Sequence, residues 1–104
     1  MDSGFVWVFC TIQAGAFSGE RIFKIHFGGR DVFEGVAPLH AVRKRDGSTF
    51  GKFEPQDDVL FEGRVAARLI RNGGETAQIL FPDGEEAEIS VQLIEQREGT
   101  YVSV

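Results

Sequence analysis

The chain has 104 residues, 42% of them hydrophobic, which predicts one folded domain, or two very small ones, rather than a disordered segment. Its net charge of −5 argues against nucleic-acid and anionic-membrane partners, because both are bound through surplus Lys and Arg. A single cysteine cannot form an internal disulfide, which favours a reducing compartment, and we expect a cytoplasmic protein without a transmembrane span.

The first predicted strand covers residues 5–13. Its inward set is Val6, Val8, Cys10 and Ile12. Trp7 and Phe9 lie in the opposite, outward set, so the strand is either buried on both sides or carries an exposed aromatic patch that serves a function. No basic leader precedes this apolar run and Asp2 stands there instead, which favours a strand over a signal peptide.

The rest of the first half alternates between short strands and glycine turns. Strands are predicted over residues 21–27, 30–36 and 48–53, a short helical turn over 38–42, and a polar linker over 54–58. Turns are predicted at Gly28-Gly29 and Asp46-Gly47, because glycine accepts a positive φ. Gly35 predicts a bulge within its strand.

The second half reads as an antiparallel meander. Its strands are predicted over residues 65–70, 77–81 and 87–91. Asn72-Gly73-Gly74 and Pro82-Asp83-Gly84 supply the turns between them. The sequence ends within a last predicted strand, residues 100–104, which suggests an excerpt of a longer chain.

The two halves align with each other at an offset of about 50–55 residues, which is a sign of an internal repeat. Val8 then lies over Val65, and Ile25 over Ile79. We therefore predict an all-β protein of two tandem, packed barrels, with residues 1–54 forming the first and 55–104 the second. The alternative is a single β-barrel or sandwich, since any two all-β stretches with regular turns align in this way.

The second half resembles SH3-like barrels of the Tudor and KOW kind. The residues that carry the resemblance are Val65 to Ile70, Gly73-Gly74, Ile79 to Phe81, Asp83-Gly84, Ile89 to Ile94 and Tyr101 to Val104. They cover about 40 residues and, more faintly, the first half. The resemblance implies an SH3-like fold and a binding module for peptides, modified side chains or RNA, although a fold alone does not establish a function.

No residue pattern predicts catalysis, a metal or a cofactor. His26 and His40 are scattered, and a lone cysteine cannot build a zinc site with them. Cys10 is expected to be a buried, inert thiol. The carboxylates of Asp57-Asp58 and of residues 85–88 are expected on solvated turns. We therefore predict that the protein is not an enzyme.

The candidate binding residues are aromatic. They are Trp7, Phe9, Phe33 and Tyr101, which could form a cation cage or a peptide groove. The opposing interpretation buries Trp7 and Phe9 between the two barrels, where small barrels need extra apolar contact. We predict a binding or scaffold module for a protein or peptide segment. The alternative is RNA binding through Arg64, Arg68 and Arg71, with support from Arg43-Lys44-Arg45.

Overall fold

A computed structural model describes residues 5–95, and strands dominate this part of the chain. The strands are β1 (Phe5–Ala14), β2 (Glu20–Phe27), β3 (Arg30–Pro38), β4 (Val42–Lys44), β5 (Phe61–Asn72), β6 (Thr76–Leu80) and β7 (Glu86–Ser90). Two single 3-10 turns cover Leu39–Ala41 and Val91–Leu93. The all-β prediction is confirmed. Within residues 5–95, no helix is long and apolar enough to cross a membrane.

All seven of these strands belong to one antiparallel sheet. Its order is β3-β2-β1-β5-β6-β7, and β4 pairs with β5 as well. The sheet curls so that Phe33 of β3 stacks on Phe81 beyond the end of β6, with ring centroids 4.7 Å apart. The result is a nearly closed, barrel-shaped sheet, which fits the alternative prediction of a single barrel. Two separate barrels are not seen in residues 5–95.

Both halves of the chain have the same order of elements, and each contributes to the sheet of the other. Three strands are followed by a 3-10 turn and then by a short extended segment. Val42 in the first of these segments pairs with Val65, while Ile94 in the second pairs with Val8. Val8 and Val65 also pair with each other, in the long β1–β5 ladder at the centre. The two halves are therefore joined by three sets of strand contacts.

The core is one apolar cluster drawn from both halves. Among its fully enclosed side chains are Val8, Ile12, Phe23, Ile25, Val65 and Ile79. The period-two alternation of β1, β2, β5 and β6 assigns all of them to the inward face, as predicted. Burying each such side chain stabilises the fold by about 1.5–3 kcal/mol, so this face determines the register of the sheet.

The strand predicted over residues 48–53 is wrong, because these residues form a loop. Phe50 alone is buried there, and it packs edge-to-face against Phe61 at a centroid distance of 5.6 Å. Its neighbours on both sides are exposed. A loop segment that contains one buried aromatic residue has a sequence similar to that of a short strand, but this segment forms no hydrogen-bonded ladder.

Arg21 fixes this loop from the inside. Its side chain in β2 is only 3% exposed, and the guanidinium group donates five hydrogen bonds of 2.7–3.2 Å. The acceptors are the backbone carbonyls of Ser18, Glu20, Gly51, Lys52 and Glu54. Arginine has five N–H donors, so every donor is used. The buried charge thus joins the loop before β2 to the loop that links the two halves.

The predicted bulge at Gly35 is wrong in position. The register of β2 and β3 shifts between Ile25 and His26, which leaves Val32 as the extra residue. Gly35 serves another purpose, since a Cβ atom there would lie 2.5 Å from Asp83 Oδ2 and 2.8 Å from Phe23 Cζ. The missing side chain lets β3 approach the turn between β6 and β7. The predicted last strand, residues 100–104, lies outside the described residues.

Candidate functional site

Trp7 lies on the outer face of β1 and is half-buried by side chains of the neighbouring strands. The residue opposite it on β5 is Ala66, whose small side chain leaves room for the indole ring. Arg43 of β4, which lies opposite Arg64 on β5, covers the ring with its guanidinium carbon 5.3 Å from the ring centroid. Trp7 is therefore neither sealed between two barrels nor fully exposed.

A groove opens beside Trp7 where β5 exchanges one partner for another. β5 pairs with β4 as far as Val65 and with β6 from Arg68 onwards, so Ala66 and Ala67 lie in the gap. The groove at this gap has a volume of about 740 Å³. We call it the Trp7 groove. Residues that line it include Phe5, Trp7, His40, Arg43, Arg68 and Leu80.

The apolar part of the Trp7 groove is accessible to a ligand. Phe5 is 62% exposed and packs edge-to-face on Trp7, with ring centroids 5.6 Å apart. Leu69, Leu80 and Pro82 line the groove as well. A cavity of this size with aromatic and aliphatic walls is typical of ligand and peptide sites. Sequence reasoning did not identify Phe5 as a site residue.

Phe9, the second predicted site residue, does not line the Trp7 groove. Its half-buried ring is flanked by Arg45 and Arg64, whose guanidinium carbons lie 4.8 and 5.9 Å from the ring centroid. Arg64 is held in turn by an ion pair with Glu95 at 2.6 Å. Phe9 is thus part of a covered cluster of aromatic and charged side chains beside the groove.

The other two predicted aromatic residues are not brought to Trp7. Phe33 pairs with the buried Ile25 and so faces the core side of the sheet, where it stacks on Phe81. Trp7 faces the outer side, since its neighbour Val8 is the inward residue. Tyr101 lies outside the described residues.

The three arginines of the alternative prediction differ in their surroundings. The side chain of Arg64 is only 16% exposed and is engaged by Glu95. Arg68 and Arg71 are exposed, and they lie opposite Leu80 and Gln78. Simple alternation would place these two on opposite faces, but the irregularity between Leu69 and Arg71 restores Arg71 to the same face.

A chain of hydrogen-bonding groups crosses the outer face of β1, β2 and β3. Thr11 Oγ1 lies 2.9 Å from His26 Nε2, and His26 Nδ1 lies 2.7 Å from Asp31 Oδ1. A hydroxyl, an imidazole and a carboxylate in this order can in principle activate a nucleophile. None of the three lines the Trp7 groove. Their contacts connect three neighbouring strands, β1, β2 and β3.

A second, smaller cleft lies between the loop before β2 and the loop that follows Phe50. Its volume is about 360 Å³, and Phe17 and Phe53 stand at its sides with exposed fractions of 73% and 76%. Arg21 contributes to its wall. The polar and apolar residues of this cleft are mixed, with Lys52 and Asp57 of opposite charge, so they define no ligand class.

The cysteine and the acidic turn residues have different surroundings. Cys10 is buried, and this burial raises the pKa of its thiol far above the usual range, which makes it a poor nucleophile. The carboxylates of Asp57, Asp58 and Glu85 are exposed on turns. In residues 5–95, no three His, Cys, Asp or Glu side chains are grouped closely enough to hold a metal ion.

The Trp7 groove depends on contacts between segments that are distant in sequence, which explains why only part of it was predicted. Arg43, His40 and Leu80 reach it through the pairing of β5 with two different strands.

The resemblance to SH3-like barrels stays a prediction, because comparisons with family models, with curated proteins and with solved structures found no match to this chain.

Proposed function

We propose that the protein is a non-enzymatic binding module that takes up a segment of another protein in the Trp7 groove. The observation that carries the proposal is the edge-to-face pair of Phe5 and Trp7 at the wall of a 740 Å³ groove. Phe5 is largely exposed, so it contributes little to the core. Aromatic residues at the centre of an exposed concave surface are the usual anchors of protein interfaces.

We further propose that residues 1–54 and 55–104 are two SH3-like units that share one sheet. The reciprocal pairing of Val42 with Val65 and of Ile94 with Val8 supports this, since each unit would then receive its closing segment from the other. Small SH3-like barrels commonly act as binding modules, although this is an argument by analogy. A cytoplasmic location remains part of the proposal and is supported by the single, free thiol of Cys10.

The test is a selection of peptides from a phage-displayed library of random dodecapeptides, followed by affinity measurements with groove variants. Phe5→Ala and Trp7→Ala should each weaken the selected peptides at least about tenfold, because an interface anchor contributes more than about 1.4 kcal/mol. Phe53→Ala is the matched control, since Phe53, like Phe5, is largely exposed but lies outside the Trp7 groove. It should leave affinity unchanged.

Circular dichroism of each variant separates loss of binding from loss of fold. If Trp7→Ala unfolds the protein, Trp7 is a core residue, and Phe5→Ala then decides the matter alone. Peptides that bind Phe5→Ala and folded Trp7→Ala as tightly as the unchanged protein would contradict the proposal.

RNA binding is the second candidate, and the exposed pair Arg68 and Arg71 on one face of β5 favours it. The net charge of −5 and the ion pair between Arg64 and Glu95 weigh against it. Its test is a salt titration of binding to single-stranded RNA, in which phosphate contacts give a strong salt dependence. An absent or salt-independent signal would remove this candidate.

A further inference from the structure

The Trp7 groove has a charge opposite to that of the protein as a whole. The chain carries a net charge of −5, but the lining of the groove contains Arg43 and Arg68 and no Asp or Glu residue. Among residues 5–95, neither arginine forms an ion pair. A cationic site on an acidic protein selects partners by charge complementarity, since such a surface attracts anionic groups locally.

Arg43 is held in place for such a contact. One of its terminal nitrogens, Nη1, donates to the carbonyls of His40 at 2.9 Å and Val42 at 3.0 Å. The guanidinium group also lies over the Trp7 ring. Backbone carbonyls thus engage two of its five N–H donors. The other three form no hydrogen bond with another described residue. A guanidinium that is already ordered loses little side-chain entropy when it binds a carboxylate.

Arg68 provides a second cation next to the apolar wall. It lies opposite Phe5 on β1 and opposite Leu80 on β6, so two apolar side chains flank it on neighbouring strands. Its side chain is exposed. Arg43, Arg68, Phe5 and Trp7 all line the same groove, so one ligand can contact both arginines and the Phe5–Trp7 pair.

We infer, resting on the proposed function, that the segment bound in the Trp7 groove is acidic: Asp or Glu side chains next to a bulky apolar or aromatic residue. The carboxylates bind the guanidinium groups of Arg43 and Arg68, and the apolar residue packs on Phe5, Trp7 and Leu80. Arginine pairs well with carboxylates because its planar fork can donate two parallel hydrogen bonds.

The experiment begins with the dodecapeptide selected most strongly by the unchanged protein. It is synthesised in three forms, with its acidic residues retained, replaced by Asn and Gln, or replaced by Lys. Fluorescence anisotropy should show that the amide form binds about ten- to hundredfold more weakly, as expected for a lost hydrogen bond to a charged group. The lysine form should not bind measurably.

Protein variants give the reciprocal test. Arg68→Gln and Arg43→Gln should each weaken the acidic peptide about tenfold or more and leave the amide form unchanged. Arg30→Gln is the control, because Arg30 is an exposed arginine at the start of β3 that does not line the groove. The side chain of Arg68 makes no hydrogen bond or ion pair with another described residue, so Arg68→Gln is decisive even if Arg43→Gln alters the fold.

The outcomes distinguish the inference from the proposed function. Equal binding of the acidic and amide forms, or an Arg68→Gln variant with unchanged affinity, would overturn the inference and leave peptide binding intact. If neither Phe5→Ala nor folded Trp7→Ala weakens any selected peptide, the proposed function fails as well. A single-stranded oligouridine that displaces the acidic peptide and binds more tightly would assign the two arginines to RNA instead, which overturns the inference.

Discussion

Replacing the buried Arg21 by Met should destabilise the protein strongly while keeping the volume of the side chain similar. The change removes five hydrogen bonds to backbone carbonyls. A hydrogen bond to a charged group contributes about 1.5–3 kcal/mol, and a buried acceptor that loses its donor costs about 1–3 kcal/mol. Most of these carbonyls belong to exposed loop residues that water can reach after a small shift.

If two of the five carbonyls stay without a donor, the free energy of unfolding falls by about 2–6 kcal/mol. For a domain of this size, about 3 kcal/mol corresponds to a decrease in Tm of roughly 10–20 °C. The assay is urea unfolding followed by circular dichroism and by the fluorescence of Trp7, the single tryptophan. Coincident transitions from the two signals justify a two-state treatment.

Two control variants isolate the role of the guanidinium group. Arg30→Met removes an exposed cation at the start of β3 and should change stability by less than about 0.5 kcal/mol. Arg21→Lys keeps the charge but offers three donors on a different geometry, so it should also be destabilising. An Arg21→Met variant within about 0.5 kcal/mol of the unchanged protein would refute the idea that this side chain holds the two loops together.

Three further predictions follow from single positions. Gly35→Ala should lower the free energy of unfolding by about 1–3 kcal/mol, because the new Cβ would overlap the Asp83 carboxylate. Gly19→Ala should leave stability nearly unchanged, because the space around Gly19 is open. Urea unfolding measures both variants, and equal effects would contradict the prediction. Cys10 should resist a thiol reagent in the folded protein at pH 8 and react once urea unfolds it, since burial raises its pKa; prompt labelling of folded protein would argue otherwise. The pKa of Glu54 is lowered, first by a hydrogen bond from a backbone N–H group and then by a lysine. The ionised side chain therefore stabilises the protein at neutral pH, and this stabilisation is lost as the pH falls below 4.5, the ordinary pKa of glutamate. Glu54→Gln should flatten this acid dependence of stability, and an unchanged pH profile would count against the prediction.

The strands were largely predictable because alternation reports which face of a strand is buried. Val8, Phe23 and Ile79 are enclosed as the period of two requires. The pattern failed at Phe50, where one buried side chain anchors a loop without forming a ladder. It also could not reveal the role of Arg21, since the carbonyls that accept its hydrogen bonds are backbone groups that any sequence has.

The site was predicted only in part, for reasons of topology. Trp7 was identified from the outward aromatic set of β1, and that set does lie on the outer face. Phe33 belongs to the core side instead, because Val32 is an extra residue in the pairing of β3 with β2. Arg43 and Leu80 come together only because β4 and β6 pair with different parts of β5. Strand pairing over such distances is not encoded in local periodicity.

The most direct test of the Trp7 groove is the quenching of its single tryptophan by ions of opposite charge. Each quenching constant is divided by that of free N-acetyltryptophanamide, because iodide is intrinsically the stronger quencher of indole. On this scale, an exposed tryptophan in average surroundings on a protein of net charge −5 is quenched better by caesium than by iodide. Arg43 and Arg68 should reverse this order, so the normalised quenching of Trp7 should be stronger for iodide than for caesium, and 0.5 M salt should reduce the difference. Normalised caesium quenching equal to or above that of iodide, or no quenching by either ion, would contradict an open, cationic groove at Trp7.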